Sequence, residues 1–358
     1  MVFLVRQCLQ LAQRKENTID TSYMHKKKHI VMLQAVHRHN DDRVFYHQAK
    51  TLTNEGHRVE IYDCHSFSHF HPIQADIYIV DSPKAIWKIR KIQTKIVYDI
   101  TEWYPSKKNI RHLRWGKLCK SILLICANLW AGYKADAFIF GERDKAVPFR
   151  FLFPKKTAID LPYYPDLEYI PTSQQRDISK QCKVLYAGPL TKEKGFYRVI
   201  ETMILVAQQH PEIQWHTTII SGDQHSHTAL PENLHFTYLK TLPFQDFCAQ
   251  LHLHDLFLDL RDCDFENNRC LPIKIFYSMT AGRPSIFSPL QALTKGVPEI
   301  LDCAQLAQKT SQAAKAISTY ATNSNLYYAH CEKSRLLAST LYNWNNIAHR
   351  LIQLINAL

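Results

Sequence analysis

The chain has 358 residues, 46% hydrophobic and 21% charged, a globular profile that excludes a disordered protein and is long enough for two domains of ordinary size. Its formal net charge of +12 points to an anionic partner: nucleic acid, an anionic membrane surface or an anionic small substrate. Ten cysteines without a C-x-x-C pair exclude a zinc ribbon or a disulfide framework and suit a reducing compartment, and no apolar run approaches the roughly 18 residues of a membrane-spanning helix.

Residues 1–28 have a short apolar opening, a polar stretch and then Lys26-Lys27-Lys28. With no sustained apolar core and no small-residue cleavage site, they read as an extension before the fold, not a signal peptide; Met24 is an alternative start. The first domain, 29–165, begins with a buried-type strand at Ile30-Val31-Met32-Leu33. A polar loop follows, then a helix with Phe45, Ala49 and Leu52 on one face. Asp41 or Asp42 is placed to cap it and Gly56 to end it. Strands are expected at 59–62, 76–80, 95–98 and 137–140, with a long helix from about Ile110 to Tyr133. Strands alternating with helices imply a doubly wound parallel sheet.

Pro162, Pro165, Pro171 and the polar run Thr172 to Lys180 mark a linker, 166–181. The alternation restarts in a second domain, 182–340. Strands are expected at 184–187, 217–221, 256–260 and 284–287. Val199, Ile200, Met203, Val206 and Ala207 share one helical face, and helices are expected to fill the remainder. A closing segment, 341–358, carries Tyr342-Asn343-Trp344 and a last helix.

The second domain carries the chemistry. Its first strand ends in Ala187-Gly188-Pro189, and Lys192-Glu193-Lys194-Gly195 leads into a helix. A second helix starts at Leu271-Pro272-Ile273-Lys274. Two helix starts facing one cleft suit a diphosphate, because unpaired amides and the helix dipole favour anions. Gly188 lets the backbone come close to phosphate, and Lys194 and Lys274 are the candidate cations.

In order and spacing these segments resemble family-four glycosyltransferases of bacterial surface polysaccharide biosynthesis. The similarity runs through Asp42-Arg43-Val44-Phe45, Gly56-His57-Arg58-Val59, Val97 to Pro105, Leu161 to Asp166, and the Leu271-Pro272-x-Lys274 block. It implies the GT-B fold: α/β, two Rossmann-like domains about a cleft, the second binding a nucleotide-sugar. The donor residues carried over are Gly188, Lys192, Lys194, Gly195, Glu266, Arg269, Leu271, Pro272, Lys274 and Tyr277. Asn267 and Asn268 are candidates for sugar contacts beside Glu266. The family's closing helix packs back on the first domain, which is expected here too.

Several positions depart from the family. Pro189 stands where it has arginine, Arg269 and Tyr277 where it has two glutamates, and Thr101 where it has histidine. Tyrosine offers one hydroxyl in place of a ribose-binding carboxylate. Either the pocket is rewired, with Arg269 and Lys274 gripping phosphate, or the chain is a catalytically silent GT-B partner; a GT-B nucleotide-sugar epimerase is a further alternative. The resemblance implies transfer with retention by front-side displacement, with no side-chain nucleophile, cofactor or metal. The catalytic candidates are Glu102, Lys194 and Lys274. Acceptor-side candidates are Asp41, Arg43, Asp99, Thr101 and Glu102. Asp262-Cys263-Asp264 is a weak metal pattern. His37 and His39 read as loop residues without a catalytic role.

Residues 84–134 interleave lysines and arginines with Trp103, Tyr104, Trp115, Trp130 and Tyr133, around Ile122-Leu123-Leu124-Ile125. This suits an anionic membrane surface and a glycan or lipid-linked acceptor at the inner face of the cytoplasmic membrane. The charge also suits nucleic acid, but no nucleic-acid motif is present, and none is expected as partner.

Overall fold

The structure is a computed structural model that describes residues 26–38, 41–102, 105–106, 110, 115–172, 176–223, 225 and 230–358. Two parallel six-stranded sheets define it. The first comprises β1 (His29–Leu33), β2 (Arg58–Tyr62), β3 (Ile77–Val80), β4 (Lys95–Ile100), β5 (Ala137–Phe140) and β6 (Thr157–Asp160), in the order β2-β1-β3-β4-β5-β6. The second comprises β7 (Gln181–Ala187), β8 (Gln214–Ile220), β9 (Leu234–Leu239), β10 (Leu256–Asp259), β11 (Ser285–Phe287) and β12 (Ala304–Leu306), in the order β12-β11-β10-β7-β8-β9.

The central strands form where continuous apolar runs allow burial on both faces. Ile30, Val31, Met32 and Leu33 are each 0% exposed, and β1 pairs with both β2 and β3 in parallel register. The Phe196–Gln209 helix buries the expected face of Val199, Ile200, Met203, Val206 and Ala207. In each sheet the direction of winding reverses once, between β1 and β3 and between β7 and β10. Loops at the carboxyl ends of those strands part there and open a crevice.

The helix after β1 departs from expectation. Asp42–Ala49 is π-helical and runs into an α-helix at Lys50–Asn54. The wider i→i+5 turn shifts the buried face: Val44, His47, Gln48, Ala49 and Leu52 are buried, and Phe45 is exposed. Asp41 caps it, its Oδ1 accepting from the Arg43 amide at 3.1 Å. Strands β6, β9 and β12 were not expected. The described part of the long first-domain helix is Lys117–Lys134; Trp103, Tyr104 and residues 111–114 lie outside the described residues.

The two halves share one core. Tyr164 packs on Phe276 and Tyr342, with ring centroids 5.1 and 5.3 Å apart. The chain's end returns to the first domain. The Trp344 indole donates to Thr51 Oγ1 at 2.8 Å and stacks on His47 at 4.8 Å, and Arg350 reaches the Asp160 carbonyl at 3.0 Å. His47 is buried, and neither of its ring nitrogens has a hydrogen-bond partner. Burial, and then the nearby Arg43 charge, push its pKa down to about 3.

Candidate functional site

The carboxyl ends of β7 and β10 frame a small cavity of about 160 Å³, lined by Gly188, Lys194, Asp259, Arg261, Pro272 and Lys274 among others. Three cations meet there. The Lys274 ammonium donates to the Ala187 carbonyl at 2.9 Å and the Lys194 ammonium to Asn267 Oδ1 at 2.8 Å. Both rest on neutral oxygens. Burial, reinforced by the Arg261 charge, pushes the Lys274 pKa down to about 8 and lowers that of Lys194. Among the described residues that line it, the one carboxylate is Asp259, whose Oδ1 lies 2.6 Å from Arg261 Nε. The cavity therefore carries more positive than negative charge, which favours an anion.

Sequence reasoning missed Arg261. Its signal was positional, since it follows a central strand at the point where winding reverses. The backbone contribution also differs from expectation. The Gly188 amide is spent on the Ile220 carbonyl at 3.0 Å and that of Gly195 on Lys192 at 2.9 Å, so side chains supply this field more than those two amides do. Gly195 is required for another reason. It sits at φ +80°, and a Cβ there would lie 2.1 Å from the Leu260 carbonyl oxygen. That contact brings the Lys194 turn against the end of β10.

The remaining donor candidates divide. Leu271 and Pro272 line the cationic cavity, and Glu266 and Asn267 line the larger crevice beside it. Asn268 turns away, donating to the Cys263 carbonyl at 2.8 Å. Lys192 is exposed outside these cavities. Arg269 lies over the Phe265 ring at 3.9 Å and 3.8 Å from Asp144 Oδ2. Its side chain is engaged away from the cavity, where Arg261 stands instead. Asp262 pairs with Arg198 at 2.8 Å, and Asp264 caps the Phe265–Asn268 helix.

A neighbouring cleft of about 660 Å³ runs from Lys274 and Tyr277 to Ser221, Gly222, Phe244 and Phe247. Phe244 and Phe247 lie 5.9 and 6.0 Å from the Tyr277 ring, giving an aromatic end for a planar group. The first domain contributes His37, Asp41 and Asp42 to the same cleft. Tyr277 is buried, and its hydroxyl donates to Asp42 Oδ2 across the crevice. Burial, then the Asp41 charge, push the Asp42 pKa up to about 6.

The crevice continues for about 850 Å³ past His37, Thr101, Glu102, Glu142, Lys145 and Glu266. His37 lies in the loop after β1, as expected. It is half-buried in the cleft wall, 3.1 Å from Asp41 Oδ2 through Nδ1 and 3.1 Å from Thr101 Oγ1 through Nε2. Burial lowers its pKa, but Asp41, Asp81 and Asp99 outweigh that and raise it. Asp81 shapes the loop by accepting the Ala35 and Val36 amides at 2.9 and 2.8 Å. Sequence alone offered no sign that this loop histidine meets Thr101.

Arg43 and Asp99 do not reach the crevice surface. They form a buried two-bond pair, 2.9 and 2.8 Å, and Arg43 also donates to the Leu161 carbonyl at 2.8 Å. Gln48 donates to Asp99 as well, at 2.7 Å. This network fixes the first helix to β4. Asp41, Thr101 and Glu102 are the acceptor-side candidates that do line the crevice.

On the first domain's outer face, Trp115, just ahead of the Lys117–Lys134 helix, is 90% exposed, and that helix and Arg143–Leu152 leave Leu118 exposed by 74%, Leu123 by 69% and Phe151 by 83%. An apolar groove of about 180 Å³ between the two helices includes Glu102 and Lys145 in its lining, and both also line the crevice. Among the described residues no helix is long and apolar enough to cross a membrane.

No family model and no curated protein matches the sequence. Solved structures share the architecture. Sucrose-phosphate synthase from Thermosynechococcus elongatus aligns at TM-score 0.67 and 14% identity over 92% of this chain and 98% of that one. Anabaena HepE in complex with UDP-glucose aligns at 0.62 and 15%, over 92% and 100%. WaaG, a glycosyltransferase involved in lipopolysaccharide biosynthesis, aligns at 0.62 and 14%, over 90% and 99%. At such identities the likeness establishes the fold. This chain has the GT-B architecture, as the sequence led us to expect.

Proposed function

We propose that the protein is a glycosyltransferase that moves a sugar from a nucleotide-sugar to a membrane-associated glycan or lipid-linked acceptor. The observation that carries this reading is the cavity ringed by Lys194, Arg261 and Lys274 at the reversal point of the second sheet. A diphosphate there is held by three cations, and the adjoining cleft has an aromatic end for the base. HepE, a similar fold, was solved with UDP-glucose.

In this reading Lys194, Arg261 and Lys274 stabilise the diphosphate as the sugar–oxygen bond breaks. The departing phosphate oxygen helps take the proton of the acceptor hydroxyl, and configuration is retained. Glu102 and Asp41 face the acceptor, with Thr101 positioned by His37. Placement and charge stabilisation carry the rate, and no metal is assigned a role. Asp262 and Asp264, the carboxylates of the one metal-like pattern, are occupied by Arg198 and by helix capping. The exposed apolar face, flanked by Lys117 and Lys120, rests on the anionic inner face of the cytoplasmic membrane. The groove that Glu102 lines then leads an acceptor from that surface into the crevice.

The test is a panel of nucleotide-sugars with and without membrane extract as acceptor, in the presence of a chelator. Release of nucleoside diphosphate that requires acceptor and survives chelation supports the proposal. Conversion of the nucleotide-sugar alone would make the protein an epimerase. Neither binding nor turnover would make it a silent partner.

A further inference from the structure

The cleft that adjoins the cationic cavity is walled by both domains, and at its middle Tyr277 and Asp42 touch. With the phosphates at Lys274 and the base against Phe244 and Phe247, the ribose faces this contact, because Tyr277 lines the same cleft as Lys274 and its ring lies 5.9 and 6.0 Å from those two phenylalanines. A ribose presents two vicinal hydroxyls that need acceptors. Tyr277 offers them one neutral phenol oxygen, a weaker acceptor than a carboxylate, and its own proton goes to Asp42. A carboxylate has about four acceptor positions, and on Asp42 the Tyr277 hydroxyl and the Arg43 amide take two of them. Asp42 and Lys274 line the same cleft, Asp42 from the first domain and Lys274 from the second.

We propose that Asp42, contributed by the first domain and held by Tyr277, accepts the ribose hydroxyls of the bound nucleotide. The second domain then reads the phosphates and base, and the first domain reads the sugar ring between them. Recognition of a ribonucleotide thereby depends on the two domains meeting across the crevice. The inference rests on the donor reading above. It accounts for a carboxylate kept in a buried site beside Asp41, where its charge is costly and its pKa is pushed up.

The experiment is calorimetric titration of the full chain with UDP and GDP, each beside its 2′-deoxy form. It is run on wild type, Asp42→Asn and Tyr277→Phe, with circular dichroism confirming that each variant folds. Wild type should prefer the ribose form by about ten- to a hundredfold, the range for hydrogen bonds to a charged group. Asp42→Asn should bring that preference to within about threefold and weaken the 2′-deoxy form, which keeps only its 3′-hydroxyl, less than the ribose form, since a neutral amide accepts more weakly than a carboxylate. Tyr277→Phe keeps the buried ring and should lower the preference by a smaller factor. Absence of any nucleotide binding by wild type would remove the donor reading and this inference with it. Binding without a ribose preference, a preference that survives in Asp42→Asn and Tyr277→Phe, or equal weakening of both forms by Asp42→Asn would overturn the inference and leave the donor reading standing.

Discussion

Nucleotide binding should be accompanied by proton uptake, and Lys274 should be its main source. The Lys274 ammonium is buried on a neutral carbonyl beside Arg261, and its pKa is pushed down to about 8. At pH 8 roughly half of the molecules therefore carry a neutral Lys274, and at pH 9 roughly nine-tenths do. A diphosphate in contact favours the ammonium and returns its pKa toward the ordinary lysine range. Binding of UDP should then draw about 0.5 proton from solution at pH 8 and close to one at pH 9, but about 0.1 at pH 7. The count is read from binding enthalpies in two buffers of different ionisation enthalpy. Lys274→Met should abolish most of the uptake, leaving the smaller share of Lys194, and weaken binding by about 2–4 kcal/mol, or roughly thirty- to a thousandfold. Uptake that is absent at pH 9 in wild type, or unchanged in Lys274→Met, would refute this account of the cavity.

Lys194→Ala and Arg261→Ala should each weaken UDP binding by a comparable roughly 2–4 kcal/mol, measured by calorimetry, whereas Arg269→Ala should leave it within about threefold of wild type. Acid should destabilise the fold through His47. Its folded pKa, about 3, lies below the ordinary 6.5, so the unfolded chain takes up the proton first and stability is lost as pH falls from 6.5 toward 3. His47 contributes about 3 kcal/mol to that loss by pH 4; His47→Phe should flatten it in urea unfolding at pH 7 and pH 4, and an unchanged pH dependence would remove His47 from the explanation. Arg43→Met should cost about 3–5 kcal/mol by leaving Asp99 buried without its partner, seen as a fall in the unfolding midpoint. Leu123→Glu should release the protein from anionic vesicles in a flotation assay without altering UDP affinity; full retention on the vesicles would move the membrane face elsewhere.

The central strands could be read from sequence because burial on both faces leaves no room for polar residues. Ile30 to Leu33 and Ala137 to Phe140 are such runs, and both are strands with all four residues buried. The edge strands could not. β9 has one buried residue followed by exposed and half-buried positions, β6 has no buried residue, and β12 has three residues. Their pairing comes from the neighbouring strand, not from their own pattern. Lys194 and Lys274 were legible because short-range motifs, a glycine turn and a helix start, carry them to the carboxyl edge of the sheet. Arg261 and His37 were not, because long-range contacts decide their surroundings: Lys194 and Lys274 for one, Thr101 for the other. Arg43 and Asp99, 56 residues apart, are of the same kind. Nothing local distinguishes a charge bound for the crevice from one that will be buried against its opposite.

A crystal structure of the protein grown with UDP would test the central claim most directly. The account predicts both phosphates in the small cavity, within hydrogen-bonding distance of the Lys194, Arg261 and Lys274 side chains, with the base toward Phe244. Phosphates bound elsewhere, or a cavity that stays free of nucleotide at saturating UDP, would contradict it.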